Sequence, residues 1–220
     1  MNVGVVIVCA GKGKRLGKVD KAVLRIKGKP LFFHTYYAFK EISEIKQIVL
    51  VLRKKHFELA KKLIKDKRVV LVEGGRKRED SVHNGLLSLE KKINYVLIHD
   101  GARPFVSRDI IKRVLKQLKK YPAVICALKA KDTLKKADKK KFVERTLNRD
   151  NIFLVQTPQG FKKSLILRAY KTKTKTDFFD DAQVLESIGR KVKIVEGDSS
   201  NIKITYPKDI ILAKAMNERL

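Results

Sequence analysis

Two kinds of hydrophobic spacing alternate along the first 130 residues, and that alternation limits the fold more than any other feature of the chain. Short β-branched runs at Val3–Cys9, Gln47–Leu52, Val69–Val72, Tyr95–His99 and Ala123–Leu128 predict strands. The stretches between them, Leu31–Ile42, His56–Ile64, Ser81–Leu89 and Arg108–Lys119, have helical spacing. Pro30 is placed to open the first helix and Ser107 to cap the fourth, with Asp109 in its first turn. Strand–helix alternation of this kind predicts an α/β fold, a mostly parallel sheet with helices on both faces. In such sheets ligands bind beyond the carboxyl ends of the strands, so the residues that follow each strand matter most for function.

The pattern changes after Leu128. Lys131–Glu144 is densely charged around a turn-like Ala137–Lys141, followed by Arg145–Arg149 and an extended Phe153–Gln156. A hairpin protruding from the domain is expected over residues 131–155. The chain then returns with helices expected near Lys163–Tyr170 and Asp181–Ile188, strands at Lys191–Val195 and Ile202–Thr205, and a last helix after Pro207. At 220 residues, with no Gly/Ser-rich or Pro-rich divider, the chain reads as one domain over 1–220.

Composition removes several classes of function. The apolar run Val3–Ala10 is short and leads into glycines, which predicts a buried strand and not a signal peptide. No apolar segment approaches the roughly 20 residues that span a bilayer. The expected setting is cytoplasmic, with no membrane partner. Cys9 and Cys126 each lie in an apolar run and read as buried reduced thiols. His34, His56, His83 and His99 show no zinc-ligand spacing. A formal charge of +29 favours polyanionic partners. The lysines, however, are spread over nearly every polar segment, and no aromatics interleave with them as a base-stacking platform needs. No specific nucleic-acid partner is expected.

Three strand ends carry chemistry. The first runs into Cys9-Ala10-Gly11-Lys12-Gly13-Lys14-Arg15-Leu16-Gly17, a glycine turn rich in cations, with Lys21 six residues after Arg15. It is neither a Walker A loop, because Val8 and Arg15 stand at required positions, nor a dinucleotide fingerprint, because Leu16 replaces the third glycine. Lys12, Arg15 and Lys21 suit the oxygens of a triphosphate. The third strand ends in Gly74-Gly75-Arg76-Lys77-Arg78 with Ser81 following, another anion-friendly helix start. The fourth ends in His99-Asp100-Gly101-Ala102-Arg103-Pro104, where an acid beside glycine suits a divalent metal near phosphates. An ion pair between Asp100 and Arg103 is the plainer alternative.

Taken in order, these segments resemble the 2-C-methyl-D-erythritol 4-phosphate cytidylyltransferase family. Cys9–Arg15 with Lys21 resembles its A-x-G-x-G-x-R and lysine; Gly74–Val82 resembles G-G-x-x-R-x-x-S-V; His99–Pro104 resembles H-D-A-A-R-P. Asp132-Thr133 resembles its D-T and Asn148-Arg149 its D-R. Thr157–Phe161 resembles T-P-Q-x-F, and Asn201–Thr205 resembles N-I-K-[IV]-T.

The resemblance implies a Rossmann-like, nucleotidyltransferase-type fold with a protruding β-arm. It further implies transfer of CMP from CTP to the polyol phosphate, with Mg²⁺ or another divalent cation. Arg15, Lys21 and Lys203 would be the catalytic cations. Ala10, Gly11, Lys12, Gly13, Gly75, Ser81 and Asp100 would form the CTP site, with Asp100 also the metal candidate. Arg103, Thr133, Arg149 and Thr157 would receive the polyol phosphate. Thr133 and Arg149, on an arm that embraces a second subunit, would complete the partner's site, which implies a homodimer. The chain departs from the pattern at Cys9 and Gly101, where alanines are usual, and at Asp20, where proline is usual. It departs again at Ala22-Val23, and at Phe179-Asp180-Asp181-Ala182 in place of T-D-E-A, with the Lys/Thr-rich Lys171–Lys175 read as a possible lid. These changes lie near the expected polyol pocket, and a cytidylyltransferase for another polyol phosphate, such as D-ribitol 5-phosphate, shares the same motifs.

Overall fold

The computed structural model describes residues 1–11, 13, 20–172 and 178–216. Its centre is a seven-stranded sheet. In chain order the strands of that sheet are β1 (Val3–Val8), β4 (Ile45–Leu52), β5 (Val69–Glu73), β6 (Tyr95–Asp100), β7 (Ala123–Lys129), β10 (Phe153–Lys162) and β11 (Lys193–Glu196), while the short β2 (Arg25–Ile26) and β3 (Lys29–Pro30) pair in a separate two-stranded sheet. Their spatial order is β11-β7-β10-β6-β1-β4-β5. β1 pairs parallel with β4 and β6, β4 with β5, and β7 with β11, while β10 runs antiparallel between β6 and β7.

The helices cover both faces, as the alternation predicted. β1 divides its side chains between them: Val3, Val5 and Ile7 face one core and Val6 the other. The first core is closed by α1 (Leu31–Lys40) through Phe32, Tyr36 and Phe39, by α2 (Phe57–Leu63) through Ala60, and by α4 (Arg108–Leu118) through Ile110, Val114 and Leu118. The second is closed by α3 (Arg78–Leu87), α5 (Lys163–Thr172) and α6 (Asp181–Glu186), through Val82, Leu86, Ile166, Tyr170 and Leu185. Ser107 does cap α4, its Oγ accepting from the Ile110 amide at 3.3 Å. Both cysteines are buried and unpaired.

The charged segment after β7 forms a hairpin, β8 (Leu134–Ala137) and β9 (Val143–Leu147), whose strands pair only with each other. The strand that follows is longer than expected. Phe153, Leu154 and Val155, assigned to the arm from sequence, pair with Lys129, Leu128 and Ala127 of β7, so these three belong to the central sheet. A shift of register between Val155 and Gln159 accommodates Pro158, which has no amide to give a ladder.

A second expectation fails at Ile202–Thr205, which is not a strand. Ile204 is buried in a small cluster with Ile26, Leu31 and Ala213, while the Lys203 side chain turns to the other side and reaches Asp100. The alternation therefore reflects one side packed inward, not a ladder. The Ile204 amide donates to the Ala102 carbonyl at 2.9 Å, a backbone bond that ties the segment to the rest of the fold. The last helix, α7 (Pro207–Met216), then starts where expected, with Asp209 accepting from the Thr205 and Tyr206 amides.

Candidate active site

The carboxyl ends of β1, β4, β5 and β6 open on a cleft of about 990 Å³. Ala10, Gly11 and Gly13 line it from the first loop, Lys21 from the segment behind that loop, Gly75 and Ser81 from the third strand's end, and Asp100 and Lys203 from its far side. The structure thus brings together every described residue expected of the nucleotide site. Lys12 and Arg15 lie outside the described residues, as do Lys173–Lys175 of the Lys/Thr-rich segment, whose Lys171 and Thr172 end α5.

The loops approach each other so closely that the side chains at their meeting points are dictated. A Cβ on Gly74 would stand 2.1 Å from the Ala10 Cβ, so only glycine lets the two strand ends meet. Ser81 then locks the turn: its Oγ accepts from the Gly75 amide at 3.0 Å and donates to the Lys77 carbonyl at 3.1 Å. At the end of β6, a Cβ on Gly101 would come within 1.9 Å of the Cys9 Sγ. The two departures from the alanine pattern are therefore one exchange, in which the larger residue at position 9 fills the space vacated at position 101.

A second cavity, of about 410 Å³, adjoins the first. Arg103 and Thr157 line it, with Gln156, Gln159, Phe179 and Asp180. The two cavities share three residues, Arg78, Asp100 and Lys203. Asp100, almost wholly buried, receives Lys203 Nζ on Oδ2 at 2.6 Å and Arg78 Nε on Oδ1 at 3.1 Å. The alternative pairing with Arg103 does not occur; Arg103 Nη1 donates to the Asn201 carbonyl at 2.7 Å, and its buried Nε has no hydrogen-bond partner among the described residues. Burial opposes a charge on Asp100, yet Arg78 and Lys203 hold its carboxyl far below the usual carboxylate range.

Arg78 was not singled out from sequence, although it is the arginine of the G-G-x-x-R segment. Its guanidinium also grips the fully buried Asp181 at 3.1 and 2.8 Å, and Tyr170 Oη donates to the same carboxylate at 2.8 Å. Burial would strip its proton, but Asp181 and Asp100 raise its pKa well above the ordinary arginine value. The signal was present in the spacing, an arginine at the start of a helix beneath a glycine pair; what sequence could not supply was the pair of distant acids that fix it.

Thr133 and Arg149 line neither cavity. Both are exposed on the arm, where Arg149 donates to the Lys131 carbonyl. No group of three or more His, Cys, Asp or Glu side chains is placed to hold a metal among the described residues. Asp100 is the carboxylate at the junction of the cavities, which fits an ion brought in by substrate phosphates better than a resident one. Cys9, beside it, is no nucleophile: burial, then the Asp100 charge, push its thiol far up.

A large cleft beyond the carboxyl ends of a mostly parallel sheet, joined through shared cations to a smaller polar cavity, defines a Rossmann-like nucleotidyltransferase. A profile of the family "IspD: 2-C-methyl-D-erythritol 4-phosphate cytidylyltransferase" matches residues 3–219. A protein of that name from Clostridium botulinum is 42% identical over 98% of this chain and 97% of its own. Among solved structures, the 4-diphosphocytidyl-2C-methyl-D-erythritol synthase of Anaerococcus prevotii is similar at a TM-score of 0.89 and 36% identity, covering 99% of this chain and 96% of that one. The 2-C-methyl-D-erythritol 4-phosphate cytidylyltransferase of Thermus thermophilus is similar at 0.83 and 33%, covering 99% and 100%. The chain belongs to the 2-C-methyl-D-erythritol 4-phosphate cytidylyltransferase family.

Two outcomes follow from the site's packing and charge. Gly101→Ala alone should destabilise the protein by about 1–3 kcal/mol, the usual penalty of overpacking, whereas Cys9→Ala/Gly101→Ala should recover most of it. Urea unfolding of the four members of that cycle measures the coupling, and strictly additive effects would contradict the exchange. His99 is buried, bonded to Thr157 Oγ1 through Nδ1 and to the Arg103 carbonyl through Nε2, and burial lowers its pKa from 6.5 to about 4. The unfolded chain therefore binds more protons than the fold between those values. The His99 contribution should be complete above pH 6.5 and lost as pH falls toward 4, and His99→Gln should flatten unfolding free energy against pH in that window by up to one proton.

Proposed function

We propose that this protein transfers CMP from CTP to 2-C-methyl-D-erythritol 4-phosphate, releasing pyrophosphate, and so serves non-mevalonate isoprenoid synthesis. The observation that carries the reading is the sharing of Arg78, Asp100 and Lys203 by the two cavities, in a chain of this family. The larger cleft takes the nucleotide and the smaller takes the polyol phosphate. Their junction is where the two reacting groups meet.

A phosphate monoester is already an anionic nucleophile at neutral pH, so the reaction needs no general base. One oxygen of the polyol phosphate bonds to the α-phosphorus of CTP, and the bond from that phosphorus to the bridging oxygen breaks as pyrophosphate leaves. The barrier lies in bringing polyanions together and in holding charge as it moves. Lys203, fixed by Asp100, is held where the two cavities join, and Lys21 faces the triphosphate from the other wall; Arg15, outside the described residues, would join them by the family resemblance. Gly11, Gly13 and Gly75 would present backbone groups to the nucleotide. Arg103, whose buried Nε lacks a partner among the described residues, would receive the polyol phosphate, while Thr157 lines the same cavity with its hydroxyl engaged by His99 and the Asp100 amide.

A divalent cation, Mg²⁺ by chemistry, would reach the site on the triphosphate with Asp100 as its protein contact, and would neutralise phosphate charge there. Thr133 and Arg149, which line neither cavity and are exposed on the arm, would act in the site of a second copy. Phe142 and Val143 on that arm are 71% and 62% exposed, apolar surface suited to a homodimer. No helix among the described residues is long and apolar enough to cross a membrane.

Pyrophosphate release in the presence of CTP, Mg²⁺ and methylerythritol phosphate should be rapid, and with D-ribitol 5-phosphate negligible. Release with ribitol phosphate alone would overturn the polyol assignment while keeping the chemistry. Lys21→Ala should lower kcat by about 100-fold or more, the loss typical of a preorganised charge-stabilising group. Near-normal turnover would remove Lys21 from the mechanism.

A further inference from the structure

We propose that Asp20 is a positioning residue for the transfer: its carboxylate latches the segment that carries Lys21 onto the turn after β4, and so holds Lys21 at the wall of the nucleotide cleft. The inference rests on the role given to Lys21 above. Asp20 Oδ2 meets three cationic or protonatable groups of that turn, His56 Nε2 at 2.7 Å, Lys55 Nζ at 3.2 Å and Arg53 Nη1 at 3.3 Å. The turn is itself closed by the His56 amide donating to the Arg53 carbonyl at 2.9 Å. Asp20 and His56 side chains are 14% and 10% exposed, so the pair is largely shielded from water and salt.

The backbone of the same residue acts on the other side. The Asp20 carbonyl accepts from the Val23 amide at 3.2 Å, opening the single 3-10 turn Lys21–Val23, and Ala22 in that turn is buried. One residue thus joins by its side chain to the end of β4 and by its main chain to Lys21. Asp20 lines neither cavity itself, so it acts through its neighbour. Burial disfavours its charge, but the His56 and Lys55 hydrogen bonds keep the carboxyl below its ordinary value, so the latch is charged at neutral pH.

Geometry also supplies a substitute for the latch. Asp20 has φ −74° and ψ 108°. Proline is locked at about −65° within ~15°, so it fits the backbone here while lacking any carboxylate. A ring would restrain the approach to Lys21 through the main chain in place of the ion pair.

The test is a kinetic cycle on the full-length protein with CTP, Mg²⁺ and methylerythritol phosphate, with thermal unfolding midpoints recorded for each variant. Asp20→Ala should lower kcat about tenfold or more, with KM for CTP changed less than about threefold, as expected when a reacting group is misplaced. Asp20→Pro should recover most of that loss. In a Lys21→Ala background, Asp20→Ala should change kcat less than about twofold, because the group it positions is gone. Should Asp20→Ala prove too unstable to assay, Asp20→Asn, which keeps the shape and removes the charge, is expected to behave as Asp20→Ala. An equal loss from the Asp20 substitution in both backgrounds, or no loss in the native one, would overturn the latch. Near-normal turnover by Lys21→Ala alone would overturn the reading of Lys21 and the latch with it, so the two failures separate.

Discussion

The site depends on one buried carboxylate. Asp100 ends β6 in the middle of the sheet, where burial makes an unpaired charge costly, and Arg78 and Lys203 reach it from different parts of the chain. Arg78 is held in turn by Asp181 at the start of α6. Two acids and two cations therefore tie together the end of β6, the start of α3, the start of α6 and the segment before α7. Buried ion pairs of this kind add little net stability, yet removing one partner typically costs about 3–5 kcal/mol because the other is left uncompensated. Their value lies in fixing geometry: Lys203 is a long flexible side chain, and its bond to Asp100 gives it one place.

The same arrangement explains how a chain with a formal charge of +29 keeps a selective site. Cations spread over the surface draw polyanions of every kind and discriminate among none. The two cavities are lined by cations as well, but those at their junction, Arg78 and Lys203, are bound to carboxylates that the fold holds in place. Substrate phosphates would meet guanidinium and ammonium groups already oriented, so little reorganisation accompanies the shift of charge to pyrophosphate. General attraction and local fixation are thus separate properties of the same residue types.

Most of the sheet was legible because it rests on local pattern. β1, β4, β5, β6 and β7 announce themselves as β-branched runs, and the helices between them by spacing and by caps such as Ser107. The resemblance of motifs located the residues of the larger cleft, because the strand ends that form it are contiguous segments. What sequence did not disclose depends on distant partners. Residues 153–155 read as arm because nothing local says that they pair with β7. Ile202–Thr205 read as a strand because alternation reports burial on one side and is silent on whether a ladder exists. Arg78 was passed over because its meaning lies in Asp181, 103 residues away. The exchange between Cys9 and Gly101 is likewise invisible until the ends of β1 and β6 are seen side by side.

Loops that line a site lack the ladders that stiffen strands, and here buried polar side chains take over that task. Gln159, fully buried in β10, accepts from the Asp181 and Ala182 amides and donates to Asp180, pinning the start of α6 against the sheet. Asn201 donates to the Thr157 carbonyl at 2.8 Å, and Thr157 Oγ1 accepts from the Asp100 amide at 3.0 Å. Gln156 donates to the Asp198 carbonyl and accepts from its amide. Each of these contacts satisfies groups that would otherwise be buried unpaired, so each is enforced by the cost of breaking it. Because the contacts run from β10 to the end of β6, to α6 and to the Asp198–Asn201 turn, the walls of both cavities are referenced to one strand. That strand is the antiparallel one, set between β6 and β7; its reversed direction lets Gln156, Thr157 and Gln159 project at the carboxyl edge of its parallel neighbours, where a parallel strand would place its own end and a loop.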